Sequence, residues 1–248
     1  MKVAAIIPAR YASTRLPGKV LIELAGKPMI LHVCDNVARA KRVERVVVAT
    51  DDERIAEVVR EGNHEVVVTS SDLPSGTDRI AAAARELSLE GAILNVQGDE
   101  PMIDPDVIDK VIDRFASSDA DCVTPIVKID SIMSLFDPDT PKVVMRDNET
   151  ALYFSRTPIP FFRDRAPEEW LDVHTFHRHV GLYLYKAESL ERFVNSTPSH
   201  LEHAEQLEQL RMLGLGMSIL CVEVDYHGLS VDSPEDVMRV EGMIGQKI

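Results

Sequence analysis

Basic residues are scarce in this chain: 27 Lys and Arg stand against 41 Asp and Glu over 248 residues, a formal charge of −14. Broad binding of nucleic acid or an anionic membrane needs a cationic face that displaces condensed counterions, so neither is expected as a partner. Cysteines are few as well. Cys34, Cys122 and Cys221 are odd in number and far apart, with no Cys-x-x-Cys pair and no zinc-ligand spacing, which excludes a disulfide framework and points to a reducing compartment. No apolar run reaches ~18 residues, so no segment is expected to insert into a bilayer. The apolar run after Met1 and Lys2 is too short for a secretory signal, and the expected location is cytoplasmic. Internal repeats, low-complexity linkers, the Gly-x-Gly-x-x-Gly fingerprint and the common P-loop are all missing.

What is present is a hydrophobic fraction of 45%, enough for one large core, so residues 1–248 are expected to form one domain with an insertion at about 128–190. Short β-branched runs alternate with segments of helical period. Strands are expected at Val3–Ile7, Arg45–Ala49, Val66–Thr69, Ala92–Val96 and Cys122–Val127. Helices are expected at Pro28–Lys41, Asp52–Gly62, Asp78–Leu89 and Pro105–Phe115, with Pro28 and Pro105 in first-turn positions. This predicts an α/β, Rossmann-like fold with a largely parallel central sheet flanked by helices. Beyond Pro125 the rhythm breaks into a smaller antiparallel embellishment, with strands at Lys142–Met145, Leu152–Phe154 and His179–Tyr185. A helix over Leu201–Gly214, a strand over Ser218–Val224 and a last helix from Pro234 to Ile244, capped by Ser233, complete the pattern.

In open α/β sheets ligands bind beyond the carboxyl ends of the strands. The segment following the first strand, Pro8-Ala-Arg-Tyr-Ala-Ser-Thr-Arg-Leu-Pro-Gly-Lys19, places Arg10, Arg15 and Lys19 among hydroxyls and a glycine, with no acid before Glu23. Several cations and backbone donors in one loop suit a polyphosphate; a solvated charged loop is the plainer alternative. Asn95-Val-Gln-Gly-Asp-Glu-Pro101 leaves another strand, so Asp99 should reach the same edge. A carboxylate facing phosphates suits Mg²⁺, which takes one or two protein carboxylates and leaves its other positions to water and phosphate. Asp99 could equally be a turn acid, and Asp232, before Ser233 and Pro234, could be a helix signal rather than a second ligand. Ser75-Gly-Thr-Asp-Arg79 opens a helix, and Gly76 permits close backbone approach to a flat ligand. His174, His177 and His179 resemble a metal set, but alternation puts 177 and 179 on one strand face and 174 on the other, which favours core and pocket roles. His200 and His203 have helical metal spacing without further ligands, and a solvent or pocket-rim position suits them better.

Taken in order, the loop above together with Val-Ala-Thr-Asp, Ser-Gly-Thr-Asp-Arg, Asn-Val-Gln-Gly-Asp-Glu-Pro, Tyr-Phe-Ser-Arg-Thr-Pro-Ile-Pro, Arg-His-Val-Gly-Leu-Tyr, Leu-Glu-Gln-Leu-Arg and Val-Asp-Ser-Pro-Glu-Asp resembles the 3-deoxy-manno-octulosonate (Kdo) cytidylyltransferases, or CMP-Kdo synthetases, over essentially the whole chain. The resemblance implies Mg²⁺-dependent transfer of CMP from CTP to Kdo for lipopolysaccharide assembly, by a homodimer. It implies that Arg10, Arg15 and Lys19 hold the triphosphate, with Pro8, Ala9, Ser75 and Gly76 also contacting CTP. Asp99 and Asp232 are the implied metal ligands. Arg79, Gln97, Arg156, His179, Tyr183, Glu208 and Gln209 are the implied sugar set, with the antiparallel part forming the sugar pocket and the dimer edge near Tyr153–Pro160.

Two departures stand out: His227-Gly-Leu-Ser230 before Val231 is less glycine-rich than expected, and Arg163–Phe176 matches weakly. The rival readings are a cytidylyltransferase for another sugar acid, such as 8-amino-Kdo or sialic acid, and a non-catalytic nucleotide-binding protein. A sugar-1-phosphate nucleotidyltransferase fits less well because its Gly-rich opening is missing.

Overall fold

Alternate side chains of the first strand, β1 (Val3–Ala9), enter two different cores. Val3, Ala5, Ile7 and Ala9 pack with Ile30, Val33, Val37 and Ile108 on one face, whereas Ile6 packs with Ile80, Ala83 and Phe193 on the other. A strand apolar on both faces must be covered on both, as in a parallel sheet with helices on each side. The computed structural model describes residues 1–12 and 16–245, so Arg15 of the basic loop lies outside the described residues.

The order continues with the hairpin β2 (Glu23–Leu24) and β3 (Lys27–Pro28), α1 (Met29–Ala38), β4 (Arg45–Thr50), α2 (Glu53–Glu61), β5 (Glu65–Val68), α3 (Gly76–Glu86), β6 (Ala92–Asn95), α4 (Pro105–Ala116) and β7 (Cys122–Lys128). Next come α5 (Ile132–Phe136), β8 (Lys142–Met145), β9 (Ala151–Ser155), α6 (Trp170–Val173), β10 (His177–His179) and β11 (Tyr183–Lys186). The chain ends with α7 (Ala187–Val194), α8 (His200–Glu205), α9 (Gln209–Gly214), β12 (Ile219–Glu223) and α10 (Pro234–Gly245). The main sheet runs β5-β4-β1-β6-β11-β7-β10-β8-β9, with β12 also paired to β7. Pairs β5–β4, β4–β1, β1–β6 and β7–β12 are parallel; those made by β11, β10 and β8–β9 are antiparallel. The chain leaves β1 toward β4 on one side and toward β6 on the other, which opens a crevice at the carboxyl ends of β1 and β6.

Helix starts follow the local chemistry. The side chains of Asp52, Ser75 and Asp104 accept the N–H groups of Arg54, Asp78 and Asp106, capping α2, α3 and α4, and Pro105 sits in the first turn of α4. Three expectations need correction. Pro28 precedes α1 instead of entering it, because it closes the β2–β3 hairpin. The strand expected over His179–Tyr185 is broken at Val180–Leu182, where the Leu182 N–H turns back to the Val180 carbonyl at 2.8 Å. The helix expected over Leu201–Gly214 is two helices separated at Gln206, which takes the left-handed conformation at φ 53°. A buried bidentate pair bridges that break, with Arg211 Nε and Nη2 donating to Glu202 at 2.7 and 2.5 Å.

Candidate active site

The basic loop is pinned at both ends. Gly18, in the left-handed region at φ 69°, donates its N–H to the Tyr11 carbonyl at 2.8 Å, and the Arg54 guanidinium lies 3.3 Å from the centroid of the Tyr11 ring. Buried Val20 anchors the short turn Lys19–Leu21. Pro8, Arg10, Ala12, Lys19, Gly98 and Asp99 line a groove of about 210 Å³ here. Arg10 donates through Nη2 to the Leu73 carbonyl at 2.8 Å, but its buried Nε has no protein partner. A buried guanidinium nitrogen left unbonded beside an open groove is a ready donor for an anion.

Asp99 lines this groove, and Asp232, from a distant part of the chain, meets it at Lys19. Beyond β6 the chain turns over Gln97–Glu100, and a Cβ on Gly98 would stand 2.9 Å from the Pro8 carbonyl oxygen, so only glycine lets the turn rest against the end of β1. The Val231 N–H donates to the Asp99 carbonyl at 2.9 Å, while the Val231 side chain is buried with Leu24, Met29 and Val240. Asp236 accepts the N–H groups of Asp232 and Ser233 at 3.2 and 2.9 Å, and the Ser233 hydroxyl accepts the Asp236 N–H at 3.2 Å, capping α10. The backbone before Asp232 is thus held by a buried valine and a capping network. Lys19 Nζ donates to Asp99 Oδ2 at 2.7 Å and to Asp232 Oδ1 at 2.8 Å. Burial alone would pull the Lys19 ammonium down, but Asp99 and Asp232 together hold it above its ordinary value.

Two carboxylate oxygens bonded to one nitrogen already share one cation, the Lys19 ammonium. Among the described residues no group of three or more His, Cys, Asp and Glu side chains is arranged around a metal position. A pair of carboxylates beside an anion-seeking arginine fits Mg²⁺, which draws its remaining ligands from water and phosphate, better than a metal that needs an all-protein cage.

Gln97 and Asp99 also line a second, larger cleft of about 1190 Å³ that continues from the groove. Gln97 Nε2 donates to Asn95 Oδ1 and to the Gly181 carbonyl, both at 3.2 Å. Thr77, in the first turn of α3, donates to Glu208 at 2.7 Å and so ties α3 to the start of α9. His179 is buried, and its Nε2 lies 2.9 Å from the Thr124 hydroxyl. Burial and the adjacent Arg178 charge pull the His179 imidazole down to about 3.

Of the residues expected in the site, Gly76, Gln97, Arg156, His179, Tyr183, Glu208, Gln209, Asp99 and Asp232 line the large cleft, and Pro8, Arg10 and Lys19 line the groove. The Ala9 side chain belongs to the core, and the Ser75 hydroxyl is engaged with Asp78 as the cap of α3. Arg79 is not brought to the cleft. Its side chain is wholly buried, with Nη2 on Asp51 at 2.7 Å and Nη1 on Thr69 at 2.5 Å, and it braces the ends of β4 and β5. Arg156 lines the cleft while donating to the carbonyls of Glu205 at 2.7 Å and Pro138 at 2.8 Å. The three-histidine set is dispersed: His177 pairs with Glu223 at 2.9 Å, and His174 packs on Phe162 and Phe176.

Sequence reasoning missed Glu100, Arg178 and Tyr226, which form a polar wall of the cleft. The Tyr226 hydroxyl donates to Glu100 at 2.9 Å and Arg178 Nη2 donates to the Tyr226 carbonyl at 2.8 Å. Burial pushes the Glu100 carboxyl up to about 7, and the neighbouring Asp99 charge adds to the effect. The one available signal was Glu100, next to Asp99 in the turn after β6; Arg178 and Tyr226 come from distant parts of the chain and carry no local signal.

Known proteins share this sequence pattern and this fold. The pattern of the Cytidylyltransferase family matches residues 4–219. The chain is 43% identical over 99% of its length to a 3-deoxy-manno-octulosonate cytidylyltransferase of Trichlorobacter lovleyi, which it covers completely. It is 45% identical to the Geobacter sulfurreducens protein of the same name, over 97% of this chain and 98% of that one. The structure of a CMP:2-keto-3-deoxy-manno-octonic acid synthetase complexed with CTP superposes with a TM-score of 0.93 at 35% identity, covering 100% of both chains. A cytidylyltransferase from Leptospira borgpetersenii, at 18% identity and a TM-score of 0.65 over 99% of this chain and 87% of that one, shares the fold.

Proposed function

Since the chain belongs to the Cytidylyltransferase family, we propose that it transfers CMP from CTP to the anomeric hydroxyl of Kdo, giving CMP-Kdo and pyrophosphate. The observation that carries this reading is the convergence of Asp99 and Asp232 on Lys19, opposite Arg10, where the narrow groove joins the large polar cleft. The groove takes the triphosphate and the cleft takes the sugar, so the α-phosphorus comes to rest between them. The sugar oxygen bonds to that phosphorus as its bond to the pyrophosphate oxygen breaks, and the hydroxyl proton passes to solvent. No side chain forms a covalent intermediate; the protein contributes position and charge.

Asp99 and Asp232 would hold Mg²⁺, which when bound lowers the pKa of a coordinated hydroxyl and screens phosphate charge. Arg10 and Lys19 neutralise the triphosphate and the departing pyrophosphate. Glu208, Gln209, Gln97, Tyr183 and His179 offer acceptors and donors for a polyhydroxylated sugar, and Arg156 and Arg178 offer cations for its carboxylate. A homodimer joined along the edge strand β9, where Leu152 is 47% exposed, completes the proposal, as does a cytoplasmic location. No helix among the described residues is long and apolar enough to cross a membrane.

The test is pyrophosphate release from CTP with Mg²⁺ and, in turn, Kdo, 8-amino-Kdo and sialic acid. Turnover with Kdo supports the reading. Preference for another acid changes the sugar, and CTP binding without turnover on any acid favours a binding protein. Light scattering in solution tests the dimer.

A further inference from the structure

The ammonium of Lys19 occupies the space between the two carboxylates that the proposed reaction gives to a divalent cation. Both cations cannot occupy that space, since they would repel at contact distance and compete for the same oxygens. We infer that Lys19 is an exchangeable internal counter-ion, which holds Asp99 and Asp232 together and is handed to the phosphates of the nucleotide when a divalent cation takes its place. This rests on the reading of the site given above.

Three observations support the exchange. Lys19 is fixed at its backbone, by Gly18 on Tyr11 and by buried Val20, while the rotatable bonds of its four-carbon stem let the ammonium be redirected without moving that backbone. The Lys19 side chain is only 11% exposed, whereas those of Asp99 and Asp232 are 26% and 32% exposed, so a cation from solvent meets the carboxylates first. Arg10, in the same groove, offers an unbonded Nε, so anionic oxygens that bind there also give the displaced ammonium new partners. The consequence is synergy: divalent cation and triphosphate each bind poorly alone and strongly together.

Mn²⁺ affinity, read by electron paramagnetic resonance of the free ion, tests this without turnover. Lys19→Met should bind Mn²⁺ about tenfold more tightly than wild type without CTP, the change expected when one competing charge-assisted contact is removed. Arg10→Met removes a charge from the same groove but leaves the carboxylates paired, and should change Mn²⁺ affinity by less than about twofold. Equal affinity in wild type and Lys19→Met, or equal gains in both variants, overturns the exchange. Should Lys19→Met fail to fold, acylation footprinting of wild type decides: Mn²⁺ alone should raise the labelling of Lys19 and CTP with Mn²⁺ should lower it again, and labelling indifferent to Mn²⁺ overturns the inference. Kdo-dependent turnover without metal–lysine exchange would leave the transferase reading standing, whereas exchange without turnover on any acid would remove that reading and keep this one.

Discussion

His179 Nε2 lies 2.9 Å from a Thr124 hydroxyl whose single proton is already directed at the carbonyls of Val180 and Leu182, at 3.2 and 2.8 Å. The hydroxyl must therefore accept from Nε2–H, so a neutral ring carries its proton on Nε2 and offers Nδ1 as an acceptor. Burial agrees, pulling the imidazole down to about 3. A group whose folded pKa lies below its unfolded value of ~6.5 binds protons more readily in the unfolded chain. Its contribution is complete above that unfolded value and is lost as pH falls toward the folded one. Thermal denaturation between pH 7.5 and 4.5 should show wild type losing stability more steeply than His179→Gln. Parallel slopes would show that the imidazole is protonated in the fold.

Asp99→Asn should lower kcat by ~100-fold or more, the scale seen when a group acting on developing charge is removed. CTP affinity measured in chelator should change only a few-fold, because Lys19 retains Asp232 as a partner. Asp232→Asn should behave alike. A near-wild-type rate in either variant would remove that residue from the metal site.

Arg156→Ala should raise the KM for the sugar acid by roughly tenfold, equivalent to ~1.4 kcal/mol, and the KM for CTP much less. Its guanidinium also ties the Glu205 and Pro138 carbonyls to each other. Equal rises in both constants would reassign Arg156 to the scaffold, leaving Arg178 as the carboxylate anchor.

Glu202→Ala should lower unfolding free energy by ~3–5 kcal/mol in urea titrations, because it strands the buried Arg211 guanidinium. Arg211 also lies over the Phe193 ring at 4.3 Å, and Phe193 lines the cleft, so sugar KM should rise as well. A loss under about 1 kcal/mol would mean that the pair behaves as an exposed one.

The parallel half of the fold was legible because its strands are apolar on both faces and alternate with segments of helical period, although the Ser75 cap starts α3 ahead of the expected Asp78. The cleft beyond Pro125 was harder. The break at Gln206 follows no glycine or proline, and it persists through an ion pair between adjacent helices, Glu202 with Arg211, that period alone does not reveal. Arg79 illustrates the opposite failure. It stands within a conspicuous motif, yet a helix first turn carries it inward to Asp51, a partner contributed by another strand end. Asp99 and Asp232 could each be read as a turn or capping acid, and they are brought together by tertiary contacts that no local pattern shows, the shared Lys19 ammonium and the Val231–Asp99 backbone bond.

That contact gives Gly98 a role that a substitution can measure. A Cβ there would stand 2.9 Å from the Pro8 oxygen, a rigid backbone atom, so Gly98→Ala must push the turn off β1. The displacement is carried directly into Asp99, and because Val231 is bonded to the Asp99 carbonyl, Asp232 is disturbed with it. Misplacement of reacting groups by ~1 Å costs about 100-fold in rate, so a shift of a few tenths should lower kcat by roughly tenfold, with a stability loss of ~1–3 kcal/mol from overpacking. Gly214→Ala is the matched control. Nothing lies within 4 Å of its added methyl at the end of α9, so it should change stability by less than ~1 kcal/mol and leave kcat alone. Gly98→Ala with wild-type kcat would mean that the Gln97–Glu100 turn yields without moving Asp99, and that the acids are positioned from the α10 side instead.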